Sequence, residues 1–362
     1  MNWLLIYFAV FLCSLFFTII FTPIFKQIAV SIGVVDIPSK QEHKNHSRTI
    51  PLMGGFAMCS AWLMTILIGF LAPLIFKTDI PNYISGIFIM QKRIVVIALG
   101  ALFMTLLGFF DDKKAMSAKI KFMGQFIIAI FVVTSADIKI TLFINSGIIN
   151  WCVTVFWILF VINAVNFFDN MDGLATGIAS IAFFFFMTIA IIFKHYFVAS
   201  LSAAGLGAAV GFWIFNHSPA KIFMGDCGSH FLGYTLAITG ALTTYYQQGI
   251  TQTPLAVLIP LFILAIPLFD LLSVVVIRIK IRKPIYIGDN NHISHRFNKM
   301  GMTKKTAVLC VHLLAIIVSL SVLPMLWGDV LTAMICFIQA CVVLLLISIL
   351  QYLTKKNSKI KT

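Results

Sequence analysis

Five aspartates in three short segments are the residues of this chain best suited to chemistry: Asp111 and Asp112 in FFDDKKAMSAKIKF, Asp169 and Asp172 in NAVNFFDNMDGLA, and Asp226 in FMGDCGSHFLG. The 362 residues include only twelve acids, in a composition that is 60% apolar. Acid this scarce, clustered at the ends of apolar stretches, reads as a site for a hard divalent cation and a ligand bound to it.

Each segment adds a feature of its own. Asp111-Asp112 is followed by Lys113, Lys114, Lys119 and Lys121. Adjacent aspartates cannot face the same way on a helix. Carboxylates beside ammonium groups suit metal-assisted phosphoryl transfer, in which one group positions or deprotonates the nucleophile and the other neutralises charge. Asn163, Asn166, Asp169 and Asp172 recur every three residues. On a continued helix they would form one drifting polar face of oxygens suited to magnesium. Asp226 lies among small residues, which allow close approach of a ligand, with Lys221 near for an anion and Phe223 able to stack on a base. In DNNHISHRF, His292, His295 and Arg296 fall within five residues and suit a diphosphate.

The elements that must position these groups cross a membrane. The mean hydropathy is +1.02 and only 10% of residues are charged, which excludes an ordinary soluble domain. Apolar stretches long enough to span a ~30 Å hydrocarbon core occur at 2–23, 52–76, 94–110, 121–136, 148–165, 173–193, 197–216, 229–246, 254–277, 306–326 and 330–353. An all-α polytopic membrane protein of ten or eleven transmembrane helices is expected. It would form a single membrane-embedded domain over 1–353, with a short basic tail at 354–362. The first stretch has no basic region before it and no small-residue cleavage site, so it reads as an anchor. If the loops holding the aspartates share one side with 24–51, 278–305 and the tail, that side carries twenty-one of the 26 Lys and Arg residues. The basic side faces the cytoplasm, so the N-terminus is expected outside, the C-terminus inside and every acid cluster on the cytosolic face. The +14 net charge then reflects this asymmetry and affinity for anionic lipid or substrate; no nucleic-acid partner is implied. The seven cysteines have no CxxC spacing and read as small core residues.

In these segments and their order, from about Ile32 to Arg296, the chain resembles the polyprenyl-phosphate N-acetylhexosamine-1-phosphate transferases, the membrane family that includes the MraY, WecA and TagO enzymes. The matching stretches are HSRTIPLMGG, DD followed by KIKFMGQ, NAVNFFDNMDGLA, NHSPAKIFMGDCGS, PLFD with Arg278 after it, and DNNHISHRF. The resemblance implies that Asp226 is the principal magnesium ligand with Asn166 a second, and that Mn2+ can substitute for Mg2+. Asp111 and Asp112 match the catalytic pair at the lipid phosphate, and Lys121 a lysine that contacts phosphate. Asn216, Phe223, Asp169 and Asp172 match positions lining the uridine pocket or its edge. His292, His295 and Arg296 match the loop near the diphosphate and sugar, and His46 and Arg48 the first cytoplasmic loop. Asn163 and Asp270 are weaker candidates. Two positions depart from the pattern: Ser294 replaces a middle histidine, and Asn170 replaces a glycine.

The reaction so implied is attack by an undecaprenyl-phosphate oxygen on the β-phosphorus of a UDP-N-acetylhexosamine, giving lipid-diphosphate-sugar and UMP. It would occur in the bacterial inner membrane as the first step of a surface glycan such as O-antigen, a capsule or teichoic acid. The family allows a homodimer. DNNHISHRF is closer to the WecA and TagO branch than to the MurNAc-pentapeptide transferases. A cation-coupled transporter is the competing class; Asp270, inside an apolar stretch, is its best support.

Overall fold

The computed structural model describes residues 2–37, 49–75, 81–141, 143–243, 245, 253–284 and 292–360. Helices dominate. Seven lead to the centre of the molecule: α1 (Trp3–Ser31), α2 (Gly54–Ile75), α3 (Pro81–Lys113), α4 (Ala118–Ser135), α5 (Gly147–Phe168), α6 (Leu174–Ile192) and α7 (Tyr196–Asn216). The central helix α8 (Gly225–Leu242) is followed by α9 (Ile259–Ile263), α10 (Ala265–Lys280), α11 (Ile293–Lys299), α12 (Lys304–Leu320), α13 (Val322–Trp327) and α14 (Val330–Ile360). A two-residue antiparallel ribbon pairs β1 (Val35–Asp36) with β2 (Ile50–Pro51), in the register Val35 to Pro51.

Lipid inverts the usual amphipathic rule, as α1 illustrates. Leu4, Leu5, Phe8 and Phe16 point outward, whereas Ser14, Thr18 and Thr22 are buried. With apolar chains solvating the outside, helices associate through small residues and interhelical hydrogen bonds. Ser14 accordingly donates to the Ala204 carbonyl of α7 at 2.7 Å.

Nine described helical segments are long and apolar enough to cross a membrane. The stretch expected at 254–277 adds a tenth only as a broken span, Pro254–Ile263 followed by α10 with a bend of 73°. The stretch expected at 229–246 is α8, which is absent from that set. It packs against α2, α3, α5, α6 and α7, and all its residues from Cys227 to Ala241 are buried. Surrounded by protein, it carries its Gly, Ser, Thr and His residues without exposing them to lipid. The stretch expected at 306–326 is the single span Lys304–Trp327, in which Ser321 marks the junction of α12 and α13.

The Asn/Asp stripe also differs from expectation. α5 ends at Phe168, and Asp169 leaves the helix with φ −79° and ψ 68°. Asn163 and Asn166 share a helical face, while Asp169 and Asp172 lie in the turn into α6. Of the cysteines expected in the core, Cys152 and Cys341 are instead exposed on the bundle surface.

Candidate functional site

The C-terminal ends of α3 and α5 and the N-terminal ends of α4 and α8 meet at one end of the bundle, and the paired carboxylates gather there. The Lys121 ammonium on α4 sits between two of them, 2.9 Å from Asp111 Oδ2 and 2.6 Å from Asp226 Oδ2. Asn166 of α5 donates from Nδ2 to Asp226 Oδ1 at 2.7 Å and to Ser229 Oγ at 2.8 Å; its Oδ1 lies 3.4 Å from Lys121 Nζ. Four expected residues, from four helices, are thus in direct contact.

The adjacent aspartates have separate tasks. Asp111 faces the cluster, its other oxygen accepting from the Met116 N–H at 2.6 Å. Asp112 turns under α8, where Oδ1 accepts from the Asp226 N–H at 2.7 Å and Oδ2 from the Cys227 N–H at 3.1 Å. These are orphan amides of a helix N-terminus, which a carboxylate both satisfies and stabilises through the helix dipole. Gly225 permits the approach: its φ is +69°, and a Cβ there would lie 2.4 Å from Asp112 Oδ2. α3 crosses equally close at Gly108, where a Cβ would meet the Asp226 carbonyl oxygen at 2.3 Å. Asp112 is therefore held in the site as the cap of the helix that presents Asp226.

Asp169 lies beside this cluster. Burial, and after it the carboxylates of Asp226, Asp112 and Asp172, push its carboxyl well above the ordinary range. Asp172 accepts from the Ala220 N–H at 3.0 Å and so ties the turn into α6 to the loop before α8. Asn216, expected at the nucleotide, is buried, and its amide is engaged by this scaffold. Its Oδ1 accepts from the Gly173 N–H and the Thr176 hydroxyl, both at 3.1 Å, and its Nδ2 donates to the Ile222 carbonyl at 3.1 Å. Phe223 is anchored by its backbone, donating to the Pro51 carbonyl and accepting from the Gly54 N–H.

A second group assembles around α11. Asp270, wholly buried, accepts from His292 Nδ1 at 2.6 Å and from the Ile293 N–H at 2.7 Å. Arg296 donates to Ser273 Oγ at 2.9 Å. His295 is half-buried; burial, then the charges of His292, Lys299 and Lys304, lower its pKa to about 4. It is therefore a neutral imidazole near pH 7. The end of α5 joins the groups: Asn166 faces Asp226, while the Phe167 ring lies 6.5 Å from the His292 ring and 5.1 Å from the Arg278 guanidinium. The two departures from the resemblance touch each other, with Ser294 Oγ donating to Asn170 Oδ1 at 2.6 Å. His46 and Arg48 lie outside the described residues.

Sequence reasoning missed a buried chain behind Asp226. Asn163 Nδ2 donates to Gln125 Oε1 at 2.8 Å, Gln125 Nε2 lies 2.7 Å from His230 Nε2, and His230 Nδ1 lies 2.5 Å from the Asp226 carbonyl. Donors and acceptors match throughout if Nδ1 of a neutral His230 carries the proton. His230, four residues after Asp226 in a buried helix, was the available signal. Among the described residues, no three His, Cys, Asp or Glu side chains are grouped so that they could hold a metal ion.

The fold and site define a multi-pass membrane protein whose acidic cluster, with Lys121 and Asn166, sits where its helices end. The sequence profile described as Glycosyl transferase family 4 matches residues 94–244, a segment that contains all four residues of the contact cluster. The chain is 35% identical over 319 residues to a probable undecaprenyl-phosphate N-acetylglucosaminyl 1-phosphate transferase of Bacillus subtilis, covering 86% of this chain and 82% of that one. It is 28% identical to a decaprenyl-phosphate N-acetylglucosaminephosphotransferase of Mycobacterium tuberculosis, over 80% of this chain and 74% of the relative. A phospho-N-acetylmuramoyl-pentapeptide-transferase of Lactococcus lactis is 30% identical over 57% of this chain and 64% of its own length. The chain belongs to the polyprenyl-phosphate N-acetylhexosamine-1-phosphate transferase family, and is a polyprenyl-phosphate hexosamine-1-phosphate transferase.

Proposed function

We propose that the enzyme transfers N-acetylglucosamine 1-phosphate from UDP-GlcNAc to undecaprenyl phosphate in the bacterial inner membrane, with magnesium as its metal and Asp226 on the cytosolic side. The carrying observation is the Lys121 ammonium between Asp111 and Asp226, backed by Asn166 and with further carboxylates close by. An anionic phosphate can draw Lys121 away, and the carboxylates then offer hard oxygens to a cation. Asp226 and Asn166 would hold that ion, with Asp111 beside them. Such a donor set suits Mg2+, which takes one or two protein carboxylates and fills its octahedron with water and substrate phosphate; Mn2+ accepts the same ligands. Bound there, the metal would neutralise charge on the diphosphate as UMP departs.

The chain's own groups supply the rest. An acceptor phosphate is already anionic, so Asp111 is needed chiefly to orient it, together with Lys121, for in-line attack on the β-phosphorus. The new bond joins lipid phosphate oxygen to that phosphorus, and the bond to the UMP phosphate breaks. Neutral His295 and cationic Arg296 would donate to the diphosphate or sugar.

The N-acetylglucosamine assignment draws on the Bacillus relative's name and on its match to 86% of this chain. The muramoyl-pentapeptide relatives match 57% and 63%. The deciding experiment offers purified enzyme a panel of UDP-sugars with undecaprenyl phosphate, detecting lipid product by mass, with and without EDTA. UDP-GlcNAc should give product and UMP only with lipid and Mg2+ present. Preference for UDP-MurNAc-pentapeptide, or turnover that survives EDTA, would overturn the donor or the metal respectively.

A further inference from the structure

Helix α11, seven residues long, is too short to hold its place by helix propensity alone. Its position comes from tethers. Two of them run to α10: Asp270 to His292 and the Ile293 N–H, and Ser273 to Arg296. A third runs elsewhere. Ser294, fully buried, donates to Asn170 Oδ1 at 2.6 Å across 124 positions of sequence. Asn170 is itself fixed, because its Nδ2 donates to the Phe167 carbonyl at 3.2 Å and its N–H to the Phe168 carbonyl at 2.9 Å. The amide nitrogen is thereby turned toward the end of α5 and the oxygen toward α11. Asn170 also stands between Asp169 and Asp172, in the turn beside the acidic cluster.

We propose that Asn170 and Ser294 are a pair of positioning residues, a latch that sets the distance between the acidic turn and the His295–Arg296 helix that a nucleoside-diphosphate sugar has to bridge. The inference rests on the transferase reading above. A donor that touches both sides binds well when their separation is fixed beforehand, and less well when binding itself has to fix it. The lipid phosphate, expected at Asp111 and Lys121, lies on one side only. Breaking the latch should weaken donor binding and leave acceptor binding alone, while the tethers to α10 keep α11 folded on the bundle.

The test is a double-mutant cycle in the full-length enzyme, with Ser294→Ala, Asn170→Ala and the pair. Each single variant should raise KM for UDP-GlcNAc about 5–20-fold, the loss of roughly one buried hydrogen bond. Both kcat and KM for undecaprenyl phosphate should stay within about twofold, and the double variant should be no worse than the poorer single one. Hydrogen exchange reads the latch without turnover: Ser294→Ala should speed exchange in residues 168–173 as well as in 293–300. Single effects that multiply in the double variant, equal losses for both substrates, or faster exchange confined to 293–300 would overturn the latch. If wild-type enzyme turned over no UDP-HexNAc, the transferase reading would fall, and the exchange measurement would still decide whether the latch exists. Normal wild-type turnover with unchanged donor KM in the variants would sink the latch alone.

Discussion

The cluster at the head of α8 and the cluster around α11 are built from similar residues and are in opposite electrostatic states. At α8, one ammonium is shared by Asp111 and Asp226, while Asp169 stands among carboxylates. Around α11, Asp270 is buried with one oxygen on His292 and the other on the Ile293 amide. The first group has more carboxylates than ammonium groups, an arrangement that a bound cation would complete. The second is already paired and keeps its shape without a ligand. A polar cluster can therefore be left open to a ligand or closed by its own hydrogen bonds, and the partners of its carboxylates distinguish the two.

The comparison breaks most sharply at Asp226. Asp226→Ala should lower kcat by about 10³-fold or more, the scale of losing a charge-stabilising group in an active site. Some thermal stability should go with it, because Lys121 and Asn166 lose their partner, so activity is compared well below the melting temperature. Turnover within tenfold of wild type would assign the reactive centre elsewhere. Asp111 and Asp112 come next, and they should part company. Asp111→Asn is expected to cost about 10²-fold in kcat with little change in melting. Asp112→Ala should remove about 1–2 kcal/mol of stability along with the α8 cap. Asp112→Asn, which keeps an acceptor for one amide, should lose less. Equal losses of activity with unchanged melting for Asp111→Asn and Asp112→Asn would mean that both touch substrate.

In the α11 frame the expected damage is to stability. Asp270→Ala leaves His292 and the Ile293 amide buried without their acceptor, a change worth about 3–5 kcal/mol when a buried pair is broken. It should appear as a lower inactivation temperature, and any rise in donor KM should come together with that loss, because the same tether positions α11. A large rise in KM with unchanged inactivation temperature would move Asp270 from frame to substrate contact.

Much of this was legible in the sequence because membrane helices announce themselves by length and apolarity, and because acids are rare among them. Asp111, Lys121, Asn166 and Asp226 could be singled out for that reason. The division of labour between Asp111 and Asp112 was hidden: it depends on which helix N-terminus lies across from α3, and the sequence pattern does not name that partner. The stretch at 229–246 was legible, but its enclosure by five other helices was hidden for a related reason. A helix enclosed by protein needs no lipid-compatible surface, so its Gly, Thr and His residues blur the hydropathy signal. The chain from Asn163 through Gln125 to His230 joins three helices, and only packing reveals it. Ser294 and Asn170 looked like unrelated departures until the fold set one against the other.

The smallest expected effect concerns His295, whose pKa is lowered to about 4 by burial first and the charges of His292, Lys299 and Lys304 next. An unfolded histidine titrates near 6.5, so between about pH 6.5 and 4 the unfolded chain binds a proton that the folded one refuses. Stability supplied by this residue is complete above that window and is lost as pH falls through it. His295→Gln should therefore flatten the acid limb of the melting-temperature profile between about pH 6.5 and 4 and leave it unchanged from pH 7 to 8. If the profile instead changed above pH 7, His295 would not be the neutral group of the α11 frame, and the contrast with the charge-rich head of α8 would weaken at that residue.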